Sequence, residues 1–174
     1  KKFTDDQLAK GQDKRDLYEI ARGKLLAAGY LEIGMDHFAL PEDELFKSIE
    51  KNTLHRNFMG YTPYETDVLL GLGVSSISET KNCFHQNEKV LKVYKQRLQN
   101  DEVPTFRGHM HSDEDIFYRD LILKVMTTWE LKVPSEILTA LEGRLKPLIE
   151  DELVTLKDNV LQVTPLGKPF IRNI

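Results

Sequence analysis

Residues 30–78 carry three blocks, YLEIGMDHFALPEDEL (Tyr30–Leu45), LHRNFMGYT (Leu54–Thr62) and DVLLGLGVSSIS (Asp67–Ser78). Short apolar runs alternate here with segments rich in His, Arg, Asn, Gly and Ser. Tyr30–Ile33, flanked by Gly29 and Gly34, predicts a short strand, and Gly34–Phe38 predicts a loop beyond its carboxyl end. Helix, glycine, strand and polar loop in succession is an α/β pattern, and in such folds chemistry sits on that loop. Pro41, followed by Glu42, Asp43 and Glu44, predicts a helix start with acids in its first turn and Leu45 and Ile49 on its inner face. Leu54–Tyr61 reads as extended, and Val68–Leu70 as a buried strand. Gly71 and Gly73, then Ser75, Ser76 and Ser78, suit close approach of the backbone to a ligand, although many tight turns share that pattern.

Before this stretch, Thr4 is a plausible N-cap with Asp5 and Asp6 behind it. A helix runs from there to Ala28 on the stripe Leu17, Ala21, Leu25 and Ala28, and Gly29 ends it. After the stretch, Cys83–Gln86 predicts a short strand, and Asn87 the cap of a helix reaching Gln99. Composition changes at Asn100–Pro104, which divides the chain into residues 1–100 and 101–174. Beyond that boundary Thr105–Met110 reads as extended, and Ser112 with Asp115 resembles a capping box. The helix it opens has the stripe Tyr118, Leu121, Ile122, Val125 and Trp129. Ile137, Leu138, Leu141 and Leu145 define another helix, and Pro147 should break it or start a short third one at Leu148. Val154–Val163 reads as a hairpin turning at Lys157–Asn159, and Thr164-Pro165 as the start of a last helix. Helices followed by a hairpin and a terminal helix resemble a winged-helix arrangement.

The 174 residues are 40% hydrophobic and 30% charged, enough for a sizeable core. Net charge is −4, and acids outnumber bases in both halves, which argues against nucleic acid as the main partner. The single cysteine, Cys83, excludes an internal disulfide and a cysteine-ligated cluster within the chain, and fits a reducing compartment. No apolar run approaches the ~20 residues that span a bilayer. The opening Lys1-Lys2-Phe3-Thr4 is polar and lacks Met, so no signal peptide is read and the chain is expected to be part of a longer protein.

Several residues invite a chemical role. His37 beside Asp36 could relay a proton or bind a carboxylate, or simply hold its loop through the backbone. His55-Arg56 could grip acidic groups, since a guanidinium holds a carboxylate in a bidentate fork; a structural ion pair is the alternative. His109 and His111 share one face of a strand without a third metal ligand nearby, and Cys83 with His85 has the same shortfall. The winged-helix-like tail raises a non-enzymatic interaction module as a second reading, but its last segment offers a DNA only Lys168 and Arg172.

Five blocks in order, IGMDHFALPEDEL (Ile33–Leu45), LHRNFMGYT, DVLLGLGVSSIS, HQN (His85–Asn87) and LQVTPLGKPFIRNI (Leu161–Ile174), closely resemble the C-terminal part of the bacterial oxygen-independent coproporphyrinogen III oxidase family, from about Arg15 to the end of the chain. The resemblance implies a radical S-adenosylmethionine enzyme of haem biosynthesis. Such an enzyme converts two propionates of coproporphyrinogen III to vinyl groups, with two S-adenosylmethionine molecules and a [4Fe-4S] cluster held by a CxxxCxxC loop. It implies an α/β fold, the last β/α elements of an incomplete TIM-like barrel followed by a small, mostly helical domain. It places the protein in the cytoplasm, away from membrane and nucleic acid, as a monomer when full-length. Ile77 matches a family position lining S-adenosylmethionine, and Phe58 an aromatic near the same pocket. Met59 stands where the family usually has Gln, so a polar contact expected of that Gln does not carry over. With Gly73 and Ser75 from the glycine-serine run, these form the expected cofactor-binding set, while His37 and Arg56 are the weaker catalytic candidates. No CxxxCxxC occurs in the chain. A piece of such an enzyme should show an exposed apolar edge, and it could self-associate there.

Iron–sulfur ligation needs several thiolates and this chain has one. Anaerobic reconstitution of the purified chain with iron and sulfide is therefore expected to give no cluster absorption and no turnover of S-adenosylmethionine; a stable cluster would overturn the cysteine argument.

Overall fold

The computed structural model describes residues 4–174; Lys1–Phe3, the start of the polar opening, lie outside the described residues. The chain is a mixture of α and β elements in which every registered strand pairing is antiparallel. The described residues form no closed barrel.

Thr4 caps only a 3-10 turn, Asp5–Gln7, and the first helix proper, α1, runs Gly11–Ala27. Gly11, at φ +51°, opens α1 and marks the interruption that a glycine at this position allowed for in the helix read from Thr4 to Ala28. Strand β1 (Leu31–Gly34) follows, but the expected polar loop is a tight hairpin. Met35, at φ +51°, turns the chain, and His37 already lies in β2 (His37–Ala39), paired back onto β1. Helix α2 (Glu44–Glu50) starts later than Pro41 suggests, because Asp43 is the residue whose carboxylate takes the Leu45 amide. A second hairpin joins β3 (His55–Asn57) and β4 (Gly60–Thr62). Ile33, Ala39 and Tyr61 from the two hairpins are buried with Leu45, Phe46, Ile49 and Leu54 around them, a small core. Its depth is extended by one hydrogen bond, from the Tyr61 hydroxyl to the Met126 carbonyl at 2.8 Å.

A four-stranded meander follows: β5 (Val68–Leu69), β6 (Ile77–Thr80), β7 (Cys83–Asn87) and β8 (Thr105–Met110), with helix α3 (Leu91–Gln99) between the last two. This sheet draws strands from both sides of residue 100. Val68 and Leu70, expected to be buried, are exposed, because β5 is an edge strand that nothing among the described residues covers. Asn87 does not cap α3; it is the last residue of β7.

Helix α4 (Asp113–Thr128) opens on the expected capping box: the Asp115 amide bonds to Ser112 Oγ, and the Asp115 carboxylate takes the Ser112 amide at 2.9 Å. It ends at Trp129, whose left-handed φ of +62° turns the chain into β9 (Glu130–Lys132), a strand with no sequence signal of its own. Helix α5 (Ser135–Glu150) continues through Pro147 instead of breaking there. Pro147 faces solvent while Leu145 and Leu148 face the core, and the Asp151 amide bonds to the Pro147 carbonyl at 2.9 Å, so the ladder resumes past the missing N–H. The hairpin β10 (Val154–Lys157) and β11 (Val160–Val163) forms as expected, its turn residues Asp158 and Asn159 both at positive φ. Strand β9 pairs with β11, making the order β10-β11-β9. Beneath lies the larger core: Val133, Leu145, Val154, Leu161, Val163 and Ile171, ringed by Trp129, Leu138 and Leu141. Six side chains at ~1.5–3 kcal/mol each make this the main source of cohesion. The last helix shrinks to a 3-10 turn, Lys168–Phe170.

Hydrogen bonds at the head of α4 hold the Asp115 carboxyl down at about 2 against its ordinary 3.8. The Ser112 amide and hydroxyl contribute most, then His109. A depressed carboxyl stabilises the fold fully above its ordinary value and loses that contribution as pH falls through the folded value. The thermal midpoint is thus expected to drop between pH 4 and 2, and Asp115→Asn should flatten that part of the profile in pH-dependent melting.

Candidate functional site

The β3–β4 hairpin carries Phe58 and Met59 at its tip, above one face of the meander sheet. Residues two apart on a strand share a face, so Ile77 and Glu79 project to the same side of β6, with Phe84 opposite Glu79 and Gln86 opposite Ile77. Phe58 joins this face. Its ring meets Phe84 edge-on, centroids 4.6 Å apart, and its amide lies 3.4 Å from the Glu79 carboxylate. Phe58 itself stays half-exposed. Strand alternation thereby puts Ile77 on the sheet face that Phe58 packs against through Phe84 and Glu79.

Glu79 is buried, and its partner comes from another part of the chain. Arg119 of α4 forms an ion pair with it and holds its guanidinium 5.6 Å from the Phe84 ring. His111 packs on the same ring at 4.3 Å, with Nδ1 donating to the Lys81 carbonyl at 2.9 Å. The sequence reading missed Glu79, Phe84 and Arg119. An isolated acid in a strand reads as solvated, and only the register shows that it points inward with an arginine to meet it.

Gly73 and Ser75 lie in the loop between β5 and β6, at one end of this face. Both have positive φ, +102° and +65°. The Ser75 amide donates to the Glu88 carbonyl at 2.8 Å, and its carbonyl accepts from Gln86 Nε2 at 3.0 Å. Space beside Gly73 is open: a Cβ there would meet only Ser76 Oγ, 3.7 Å away.

His37 and Arg56 sit on the other side of the β3–β4 hairpin, both against Tyr61. The His37 ring meets Tyr61 edge-on at 5.2 Å and its Nδ1 lies 2.9 Å from the Asp36 carboxylate; the Arg56 guanidinium stacks over Tyr61 at 4.8 Å. A side chain at Gly60, φ +126°, would collide with His37 Nε2 at 2.6 Å, so the hairpin and the imidazole are fitted to each other. Burial raises the Tyr61 hydroxyl above its ordinary pKa of 10.0, keeping it a donor to Met126.

The remaining candidates are engaged in the fold. His109 bonds Asp115 at 3.1 Å and His85 bonds Thr105 at 2.8 Å. Among the described residues no three His, Cys, Asp or Glu side chains converge on a metal position. Lys168 Nζ lies 4.9 Å over the Trp129 ring, so the tail does not extend it from a recognition helix. A cleft of about 230 Å³ between α1 and Pro165–Pro169 lies away from the Phe58–Ile77 face; four of its charged residues are paired, Arg15 with Glu19 and Arg22 with Glu32. No helix among the described residues is long and apolar enough to cross a membrane.

This is an α/β chain, and its fold matches part of a radical SAM enzyme. The solved coproporphyrinogen III oxidase from Escherichia coli superposes with a TM-score of 0.87 at 35% identity, over 98% of this chain and 42% of that one. The oxygen-independent coproporphyrinogen III oxidases of Escherichia coli K12 and of Synechocystis are 36% and 32% identical across 100% of the chain. Over its whole length the chain resembles the C-terminal part of these bacterial enzymes. It spans 40% of the length of the curated relatives it matches. No protein-family model matches the chain.

Removing one partner of a buried ion pair leaves the other charge without compensation. Arg119→Met is expected to cost about 3 kcal/mol, and the double variant Glu79→Gln/Arg119→Met to regain most of it. Urea denaturation of the two variants checks this. Equal losses would mean that the uncompensated Glu79 charge is not the source of the cost.

Proposed function

We propose that the chain is the C-terminal portion of an oxygen-independent coproporphyrinogen III oxidase, in which it forms one wall of the S-adenosylmethionine site and part of the cover over coproporphyrinogen III. The observation that carries the reading is the placement of Phe58 and Ile77 on one sheet face beside an open, positive-φ glycine-serine loop. An adenine ring can pack on the half-exposed Phe58, the aliphatic chain of the cofactor on Ile77, and its polar edge can approach the backbone at Gly73 and Ser75. Bound S-adenosylmethionine supplies the radical that starts oxidative decarboxylation of a propionate to a vinyl group. The residues here bind and orient it and exclude water from its surroundings, which protects reactive carbon centres. Met59, 82% exposed at the hairpin tip, adds apolar surface where the family has an amide.

The residues present do not fit a [4Fe-4S] cluster, because Cys83 is the only cysteine. In this reading the cluster ligands belong to the rest of the enzyme, and the isolated chain is inert. His37 and Arg56 then serve as props of Tyr61 and of the hairpin that carries Phe58. Residues 1–100 make up the closing elements of the incomplete barrel, with Thr105–Met110 returning to their sheet, and 101–174 the smaller domain. The order α4-β9-α5-β10-β11, with its three strands in one sheet, supports a winged-helix-like description of that domain. Helix α1 has no buried residue, and Leu17 and Ile20 are 58% and 57% exposed. That face suits the preceding barrel elements, or a second copy when the chain is alone. The intact enzyme in this reading is a cytoplasmic monomer that uses two S-adenosylmethionine molecules.

A carboxylate at the centre of an apolar wall costs several kcal/mol unless it is paired. Ile77→Asp in the full-length enzyme is expected to weaken S-adenosylmethionine binding at least tenfold, about 1.4 kcal/mol, measured by equilibrium dialysis. Unchanged affinity in a folded enzyme would remove Ile77 from the site and the wall with it.

A further inference from the structure

Asn87 is buried at the end of β7, and its side chain turns away from the helix it was expected to cap. Its carboxamide nitrogen donates to two carbonyls of the glycine loop, Gly71 at 3.0 Å and Gly73 at 2.9 Å. Both partners are acceptors, so the group facing them has to be the NH2 end; the amide is the one neutral side-chain group of this size that offers two hydrogens from one atom. The Asn87 main chain adds a third tie, its amide bonding to the Ser76 carbonyl at 2.9 Å. On the far side, the Gly71 amide bonds to Ser78 Oγ at 3.1 Å, and a Cβ at Gly71 would collide with the Ile77 backbone at 2.6 Å. The loop is thus held between Asn87 and the first residues of β6, in a conformation that includes φ values of +102° at Gly73 and +65° at Ser75. Such backbone is retained only where its surroundings over-determine it.

We infer that Asn87 is a positioning residue for the proposed cofactor wall, clamping the Gly71–Ser76 loop so that Ile77 and the open backbone at Gly73 and Ser75 face the ligand in one fixed arrangement. The inference rests on the reading of Phe58 and Ile77 as that wall. Asn87 does not touch the ligand. It removes the ordering cost that a mobile glycine loop would impose on each binding event.

Asn87→Asp keeps the shape and points a carboxylate oxygen at two carbonyls. In the full-length enzyme, loaded with its cluster, it is expected to raise KM for S-adenosylmethionine about tenfold or more, while KM for coproporphyrinogen III and the cluster absorption stay as in the parent. Asn87→Ala, which removes both donors without repulsion, should raise it less. Ser78→Ala releases the Gly71 amide on the other side of the same loop and should shift the same parameter, which decides the matter if the Asn87 variants do not fold. Ile77→Asp is measured alongside. If Ile77→Asp raises KM and the loop variants do not, the clamp is wrong and the wall stands. If none of them moves KM, the wall itself is wrong and the clamp falls with it. A rise in both substrates' KM together with loss of cluster absorption would make Asn87 a structural residue only.

Discussion

The pairing of Glu79 with Arg119 is the constraint on which the rest of the site depends. A carboxylate almost without solvent exposure needs a partner in place, since burying it alone would cost several kcal/mol. Arg119 supplies that partner from α4, a helix that also packs Val125 and Met126 against the lower core. The meander sheet is thereby tied to the C-terminal elements at a fixed point. The same guanidinium lies against Phe84, Phe84 carries Phe58, and the Glu79 carboxylate also faces the Phe58 amide. One ion pair therefore sets both the height of the sheet over α4 and the location of the hairpin tip above it.

A second tie runs through Tyr61, and the two differ in kind. The Tyr61 hydroxyl reaches the carbonyl of Met126, seven residues along α4 from Arg119, about two helical turns. Its ring is enclosed by His37 and Arg56. This is a neutral bond between packed surfaces, modest in net energy, where the charged pair is directional and intolerant of partial loss. Together they anchor the β3–β4 hairpin from both of its faces. A tip bearing Phe58 and Met59 can then stay exposed and still keep its place.

What could be read from the sequence follows how local each signal is. The capping box at Ser112, the Asp-Asn turn of the last hairpin and the apolar stripe of α5 are fixed by neighbours within a few residues, and they form as read. Pro147 misled because the rule for proline is local while the burial of Leu145 and Leu148 is not. The turns at Met35 and Trp129 have left-handed φ on residues that rarely adopt it, so no composition signal announces them. Without those two turns, the β1–β2 hairpin looked like a loop and β9 was invisible. Val68 reads correctly as an apolar strand residue, yet it and Leu70 are exposed, because burial depends on what packs against a strand and not on the strand's own composition. For the site, block resemblance singled out Phe58 and Ile77, and nothing local could have added Glu79, whose role depends on a residue 40 positions away.

The glycine loop shows why the two kinds of information had to be combined. Its Gly and Ser content announces permissive backbone, which alone describes a mobile segment as well as a binding one. In the structure residues of unremarkable appearance hold the loop: Asn87 at the carbonyls of Gly71 and Gly73, Glu88 at the Ser75 amide, Gln86 at the Ser75 carbonyl. Three consecutive residues at the end of β7 occupy the loop's hydrogen-bonding groups, and Arg97 of α3 in turn pairs with Glu88 at 3.1 Å. A loop so thoroughly engaged on its inner side has little freedom left, and what it offers outward is a fixed surface with room beside Gly73. Permissive residues held by non-permissive partners are what a preorganised site requires, because the entropy of ordering the loop is met on folding and does not recur at each binding event.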